Sequence, residues 1–191
     1  RHDLSVLIDI HEKWFGEKSA YVALPDPKLA KLISDIKTHL ETEPDRKIIV
    51  FSMYADTVLY VGDALQKVEI PTLIYTAKNS KNDRQIVRNN FDAGLPSNRQ
   101  ANDFSVLVAT DALSEGVNLN RAGRVINYDI PYNPTRVIQR VGRINRIDKR
   151  MFKELFIDNY FPTELGEVET NIRGVATLKM KIFNSVVGSD S

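Results

Sequence analysis

Cysteine is absent from the 191 residues, so neither a disulfide framework nor a thiolate zinc site can be built. The three histidines, His2, His11 and His39, lack metal-ligand spacing, and no metal site is expected. Nothing approaches the run of about 18 consecutive apolar residues that a membrane span needs, and no signal peptide is visible. With the missing cysteines, this leads us to expect a reducing, cytoplasmic setting and no membrane partner. Glycine is scarce and scattered, 9 in all, with no G-x-x-x-x-G-K-[ST] loop to cradle a triphosphate and no acidic pair at a strand end to hold its magnesium. The formal net charge of +1 excludes a uniformly basic protein.

What is present is a chain of ordinary globular composition, 42% hydrophobic, long enough for one domain with extensions. It begins at Arg1 without Met and reads as a piece of a longer protein. Residues 3–18 place Leu4, Leu7, Ile8, Ile10, Trp14 and Phe15 at helical spacing, which predicts an N-terminal helical arm over 1–25. Asp26-Pro27 is a cap followed by proline at the first helical position, and Leu29, Leu32, Ile33, Ile36 and Leu40 form the stripe of the helix it opens. Short β-branched runs predict strands at 47–51, 71–75, 106–109 and 124–128, with a further edge strand within 152–160. Residues 56–66 predict a helix carrying Val58, Leu59, Val61 and Leu65 inward. Ser80 caps another that holds Arg84, Ile86, Val87 and Phe91. Residues 92–103, with Gly94, Pro96 and several Asn, are expected to form a loop, the best candidate in the chain for mobility or insertion. A last helical pattern over 164–187 belongs to a C-terminal extension at 161–191. This alternation, with short joins, predicts an α/β fold: one domain over 26–160, a parallel sheet with helices on both faces and right-handed crossovers.

The stretch Val106–Arg146, VLVATDALSEGVNLNRAGRVINYDIPYNPTRVIQRVGRINR, organises the rest. In open α/β sheets ligands gather beyond the carboxyl ends of the strands, where Thr110, Asp111, Ser114 and Glu115 would sit. Asn133 caps and Pro134 opens a helix toward Arg146. On a wheel of about 100° per residue, Gln139, Arg143 and Arg146 share an arc of roughly 60°, with Arg136 and Arg140 beside it and Val137, Ile138, Val141 and Ile144 opposite. One face is expected to pack and the other to present guanidiniums. From Arg136 to Arg150 there are six basic residues and one acid, Asp148. Rigid guanidinium forks suit phosphate oxygens, and Gly142 permits close approach. Plainer readings stand beside these: Asp111 as a helix cap only, Lys149 and Arg150 as solvated charges, and Asn127, Tyr128 and Asp129 as turn and packing residues.

These residues resemble a known family. Val106–Leu119 is similar to motif V, and Gln139-Arg140-Val141-Gly142-Arg143-Ile144-Asn145-Arg146 to motif VI (Q-R-x-G-R-x-x-R), of superfamily 2 helicases and translocases. Both motifs belong to the second of two RecA-like domains. The wording SEGVNL, INYDIPYNP and QRVGRINRID is nearest to bacterial and archaeal helicase-like proteins of the Swi/Snf type. Eukaryotic remodellers usually carry Asp where Gly142 stands and His where Asn145 stands, so nucleosome remodelling is not implied.

The resemblance implies that ATP and its Mg²⁺ are held by a first RecA-like domain of the same chain. Arg143 and Arg146 then reach the γ-phosphate as arginine fingers, and Gln139 positions them or the attacking water. Asp111 meets the ribose or bridges to motif VI, with Glu115 and Gly116 shaping the loop. Thr110 and Ser114, with Ser52 of motif IV and Arg84, contact the phosphates of a nucleic-acid strand, and DNA is expected rather than RNA. For Tyr54, packing is at least as strong a reading as nucleic-acid contact. The fragment by itself should not hydrolyse ATP. The competing reading is a RecA-like module that binds nucleic acid or a protein without catalysis.

Overall fold

The computed structural model describes residues 26–79, 81–114, 117–131, 133–145 and 151–161, together with 171, 173, 174 and 177. The chain divides into two compact units, Arg1–Thr38 and His39–Ser191. Helix α1 (Pro27–Thr42) opens where the Asp26 carboxylate accepts the amides of Lys28 and Leu29 at 2.9 and 3.1 Å, the cap that Asp-Pro predicts. The expected N-terminal arm, Ser80 and most of the C-terminal extension lie outside the described residues.

In the second unit the elements follow as β1 (Lys47–Phe51), α2 (Ala55–Lys67), β2 (Thr72–Tyr75), α3 (Lys81–Phe91), β3 (Val106–Ala109), β4 (Ala122–Asn127), α4 (Pro134–Ile144) and β5 (Phe156–Asn159). All pairings are parallel, in the order β2-β3-β1-β4-β5. Every residue of β1 and β3 is buried, as their unbroken apolar runs require of strands covered on both faces. One face packs Ile49, Phe51, Leu107, Ala109 and Val125 against Val87 and Phe91 of α3 and Ile144 of α4. On the other face α2 lies so close to β2 that a Cβ on Gly62 would stand 2.4 Å from Ile74 Cδ1. The crossover β1-α2-β2 runs in the opposite direction along the sheet from β2-α3-β3 and β4-α4-β5. Right-handed connections therefore place α2 on the face opposite α3 and α4.

One expectation needs correction. Leu59 points outward, 46% exposed, because α2 buries only the narrower stripe Val58, Val61, Gly62 and Leu65. The 92–103 segment is a loop, as expected, with one 3₁₀ turn at Ser97–Arg99 and several side-chain anchors. Arg121 donates to the carbonyls of Ala101 at 2.6 Å and Asn89 at 3.4 Å. The Asn90 Oδ1 accepts the amides of Asp103 and Phe104, and Lys47 Nζ donates to the Phe104 carbonyl at 2.6 Å. Half-buried carbonyls here are satisfied by cations at strand starts, which closes the loop onto the amino edge.

At the far side, the register of β1 against β4 slips by one residue at Gly123. A Cβ there would lie 2.5 Å from Arg46 Cγ and 2.8 Å from the Phe152 ring. The space is filled by Arg46, whose guanidinium lies 4.5 Å from the Phe152 ring centroid and 4.7 Å from that of Phe156, and donates to the Glu154 carbonyl at 2.6 Å. Arg124 adds an ion pair to Asp158 at 2.6 Å, so the edge strand β5 is fastened along its length.

At the carboxyl end the strands finish level. Tyr75, Ala109, Phe51, Asn127 and Asn159 are register partners and form the last row of the sheet, all on the α3/α4 face.

Candidate functional site

The site grows from that last row. Beyond Ala109, the Thr110 amide donates to the Tyr75 carbonyl at 3.1 Å, and the Thr110 carbonyl accepts from Leu113 at 3.2 Å. The chain thereby folds into a 3₁₀ turn, Asp111–Ser114, with the Thr110 hydroxyl accepting the Ala112 amide at 3.4 Å. Asp111 stands first in this turn and directs its carboxylate at α4. That helix begins where Asn133 Oδ1 accepts the Thr135 amide at 3.0 Å, with Pro134 at its first position, as the sequence predicts.

Arg140 links the two. Its Nε and Nη2 grip the Asp111 carboxylate at 2.6 and 3.0 Å, and its Nη1 donates to Asn127 Oδ1 at 2.8 Å. The guanidinium carbon lies 5.0 Å from the Phe51 ring centroid, and the residue is 0% exposed. Arg136 adds a single bond to Asp111 at 3.2 Å from the solvent side. A second tie comes from the Leu119 amide, which donates to the Arg143 carbonyl at 3.0 Å. The segment after β3 and helix α4 are thus tied together at two points. Burial of a bare guanidinium is prohibitive, and only this full set of partners makes it tolerable.

The expectation that all the arginines of α4 share a presenting face is therefore wrong for Arg140. On the wheel it lies roughly 40° from Ile144, inside the buried stripe that also holds Val137. Gln139 is exposed and Arg143 half-exposed, and the Arg143 side chain makes no hydrogen bond or ion pair among the described residues. Arg146, Glu115 and Gly116 lie outside the described residues, and Ser114 closes the 3₁₀ turn.

The other strand ends differ from expectation. Ser52 is buried, its hydroxyl donated to the Asp129 carboxylate while its oxygen accepts the Tyr54 amide at 3.2 Å, so it joins the ends of β1 and β4 and does not face outward. Thr110 is likewise buried. Tyr54, for which packing was the rival reading, is 59% exposed. Arg84 sits half-buried in the first turn of α3, which follows the carboxyl end of β2. Asn127 and Tyr128 are buried and Asp129 half-buried in the turn. Sequence reasoning missed the Ser52–Asp129 and Asn127–Arg140 links, which join residues far apart in the chain. Among the described residues no cluster of three or more His, Asp or Glu could hold a metal, and no helix is long and apolar enough to cross a membrane.

Residues 28–148 match the helicase conserved C-terminal domain model. The chain belongs to that family. This helicase C-terminal domain is 31% identical over 144 residues to an uncharacterized ATP-dependent helicase, YqhH of Bacillus subtilis, covering 75% of this chain and 24% of that one. It is 28% identical over 172 residues to the ATP-dependent RNA helicase eIF4A of Chaetomium globosum, covering 82% and 40%. Among solved structures, the C-terminal part of the Fun30 ATPase domain superposes with a TM-score of 0.66 at 21% identity, over 92% of this chain and 53% of that one, a likeness of fold. The parallel sheet is thus the RecA-like sheet of superfamily 2 C-terminal domains. The chain spans between a quarter and two-fifths of the length of these two curated relatives.

Proposed function

We propose that this chain is the second motor domain of an ATP-dependent helicase or translocase of the Swi/Snf type that tracks along DNA. The observation that carries this reading is the contrast between two arginines three residues apart. Arg140 is fully buried and spent on Asp111 and Asn127, whereas Arg143 emerges from the helix so fixed with no partner among the described residues. A rigidly mounted, uncompensated guanidinium suits a polyphosphate brought by another body.

ATP, when bound, supplies the phosphoryl group whose transfer to water drives the cycle, and a first RecA-like domain supplies the phosphate loop and the Mg²⁺. Within this chain Arg143 and Arg146 act as the arginine fingers and Gln139 orients them. Asp111 is the bridge to α4 and, with Glu115 and Gly116, shapes the loop on the nucleotide side. Thr110, Ser114 and Arg84 lie along the nucleic-acid side, where Ser52 acts through Asp129 by holding two strand ends together. Closure of the two domains on ATP and reopening after hydrolysis shift two grips on the strand relative to each other.

The test uses the full-length protein. Arg143→Ala and Arg146→Ala should lower ATPase kcat by about 10³-fold, at the low end of what an arginine finger is worth in GTPases, with folding and DNA affinity kept. Unchanged turnover in both variants sinks the assignment. Stimulation of the wild-type ATPase by single- and double-stranded DNA but not by RNA supports the DNA reading, and the reverse pattern overturns it. Binding that weakens steeply with salt is expected of phosphate contacts. The fragment alone should hydrolyse no ATP.

A further inference from the structure

Asn127 ends β4 in a position where an apolar side chain would be the cheaper occupant. Its register neighbours toward the centre of the sheet are Phe51 and then Ala109, and it is 0% exposed. Instead an amide is buried there, and both its ends are used. Oδ1 accepts Arg140 Nη1 at 2.8 Å, and Nδ2 donates to Asn159 Oδ1 at 2.8 Å on the edge strand. Backbone continues the link, since the Tyr160 amide donates to the Asn127 carbonyl at 3.0 Å. A line of hydrogen bonds therefore runs from the edge strand through Asn127 and Arg140 to Asp111 and the turn after β3.

Each member of this line removes a freedom from the next. Arg140 could pivot about its two-point grip on Asp111, and Nη1 anchored on Asn127 forbids it. The donor-only guanidinium requires the Asn127 oxygen to face it, and Asn159 accepts the Nδ2 left on the other side, so neither end of the buried amide is stranded. Buried amides cost free energy unless fully paired, and their usual return is orientation rather than stability. Arg140 in turn sets how α4, and hence Arg143, stands relative to the turn that carries Asp111.

We propose that Asn127, supported by Asn159, is a positioning residue of the motor: it holds Arg140 in the one orientation that keeps the arginine-bearing helix in register with the turn after β3. Neither asparagine touches nucleotide. The inference rests on the function proposed above, because positioning has meaning only if Arg143 is used.

The experiment takes the full-length protein with Asn127→Leu, Asn127→Asp and Asn159→Leu, and Arg143→Ala alongside. Asn127→Leu keeps the branched shape but strands Arg140 Nη1, and kcat for ATP should fall about ten- to a hundredfold, the scale of a small misplacement of reacting groups. KM for ATP and nucleic-acid affinity should move by less than about twofold, as expected when only transition-state alignment is lost. Asn127→Asp still accepts from Arg140, and Asn159 can reverse its own amide to donate, so kcat should stay within about threefold of wild type. Asn159→Leu should lower kcat in the same direction but less. A fall in melting temperature with kcat unchanged in both leucine variants overturns the proposal, as does equal loss in the Asp and Leu variants. If Asn127→Leu does not fold, Asn159→Leu at the half-buried edge decides: reduced kcat in folded protein supports positioning, and wild-type kcat refutes it. Should Arg143→Ala retain full turnover, the motor reading itself fails. Should Arg143→Ala lose turnover while the leucine variants keep it, only the positioning inference fails.

Discussion

The two ends of the sheet use the same kinds of side chain for opposite purposes. At the amino edge Lys47, Arg121 and Asn90 are turned mainly onto the 92–104 segment, with further bonds to the Ile86 and Asn89 carbonyls of the helix before it. At the carboxyl edge Arg140 and Asn127 are fully buried, yet what they hold in place, helix α4, carries an exposed Gln139 and a half-exposed Arg143. A polar network that terminates on its own backbone closes a loop. One that supports side chains without partners among the described residues is, on the function proposed above, the one that builds a site.

Removing one arginine from each edge should separate the two roles most strongly. Arg140→Met strands Asn127 and leaves Asp111 with only the solvent-side Arg136 among its described arginine partners, and we expect a loss of about 3 to 5 kcal/mol, as for breaking a buried ion pair from one side. Arg121→Met removes bonds to carbonyls that water can partly reach, and about 1 to 2 kcal/mol should go. Urea unfolding gives both values. Hydrogen exchange should rise at 92–104 for Arg121→Met and at 110–114 for Arg140→Met, and equal losses with no such localisation would break the comparison.

The amino edge can also be addressed by pH. Burial, reinforced by the neighbouring Arg121 and only partly countered by Asp103, lowers the Lys47 ammonium from 10.5 to about 8. Below pH 8 both folded and unfolded chains carry that proton. Between about 8 and 10.5 the unfolded chain holds more of it, so this group's contribution to stability rises with pH by at most about 1.4 kcal/mol per unit. The contribution is complete above 10.5 and lost as the pH falls through 8. Lys47→Met should flatten the difference in unfolding free energy between pH 7.5 and 9.5 relative to wild type, and parallel curves for the two proteins would place the ammonium in water.

Much of this was legible beforehand, and the reasons are specific. The unbroken runs at 47–51 and 106–109 announced buried parallel strands, and Asp26-Pro27 and Asn133-Pro134 announced helix starts, because caps and fixed φ act within a few residues. Strand order and the level last row depend on pairings between segments dozens of residues apart, which no local signal encodes. Arg140 failed for a different reason: charge argues for solvent, and on the wheel only its nearness to Ile144 argued otherwise. Burial of Ser52 and Arg140 depends on partners, Asp129 and Asp111, that the fold brings together. The dense fixing of 92–104 was hidden for the same reason, since its anchors at Lys47 and Arg121 lie outside it in sequence.

Two glycines sharpen the comparison without touching any charge, and the second carries the smallest expected effect. At Gly62 a Cβ would press within 2.4 Å of Ile74, so Gly62→Ala forces α2 or that side chain to shift and should cost about 1 to 3 kcal/mol. At Gly142 an added Cβ meets nothing within 4 Å, on an exposed helical position between Arg140 and Arg143. Helix propensity then predicts a gain of up to about 1 kcal/mol for Gly142→Ala, read as a raised melting temperature. Nothing within the described chain requires glycine there, so any requirement must come from a surface that approaches from outside. A Gly142→Ala protein that is more stable yet turns over ATP more slowly in full-length form would locate that approach at the helix carrying Arg143. One that is more stable and equally active would show that the approaching groups stop short of the helix backbone.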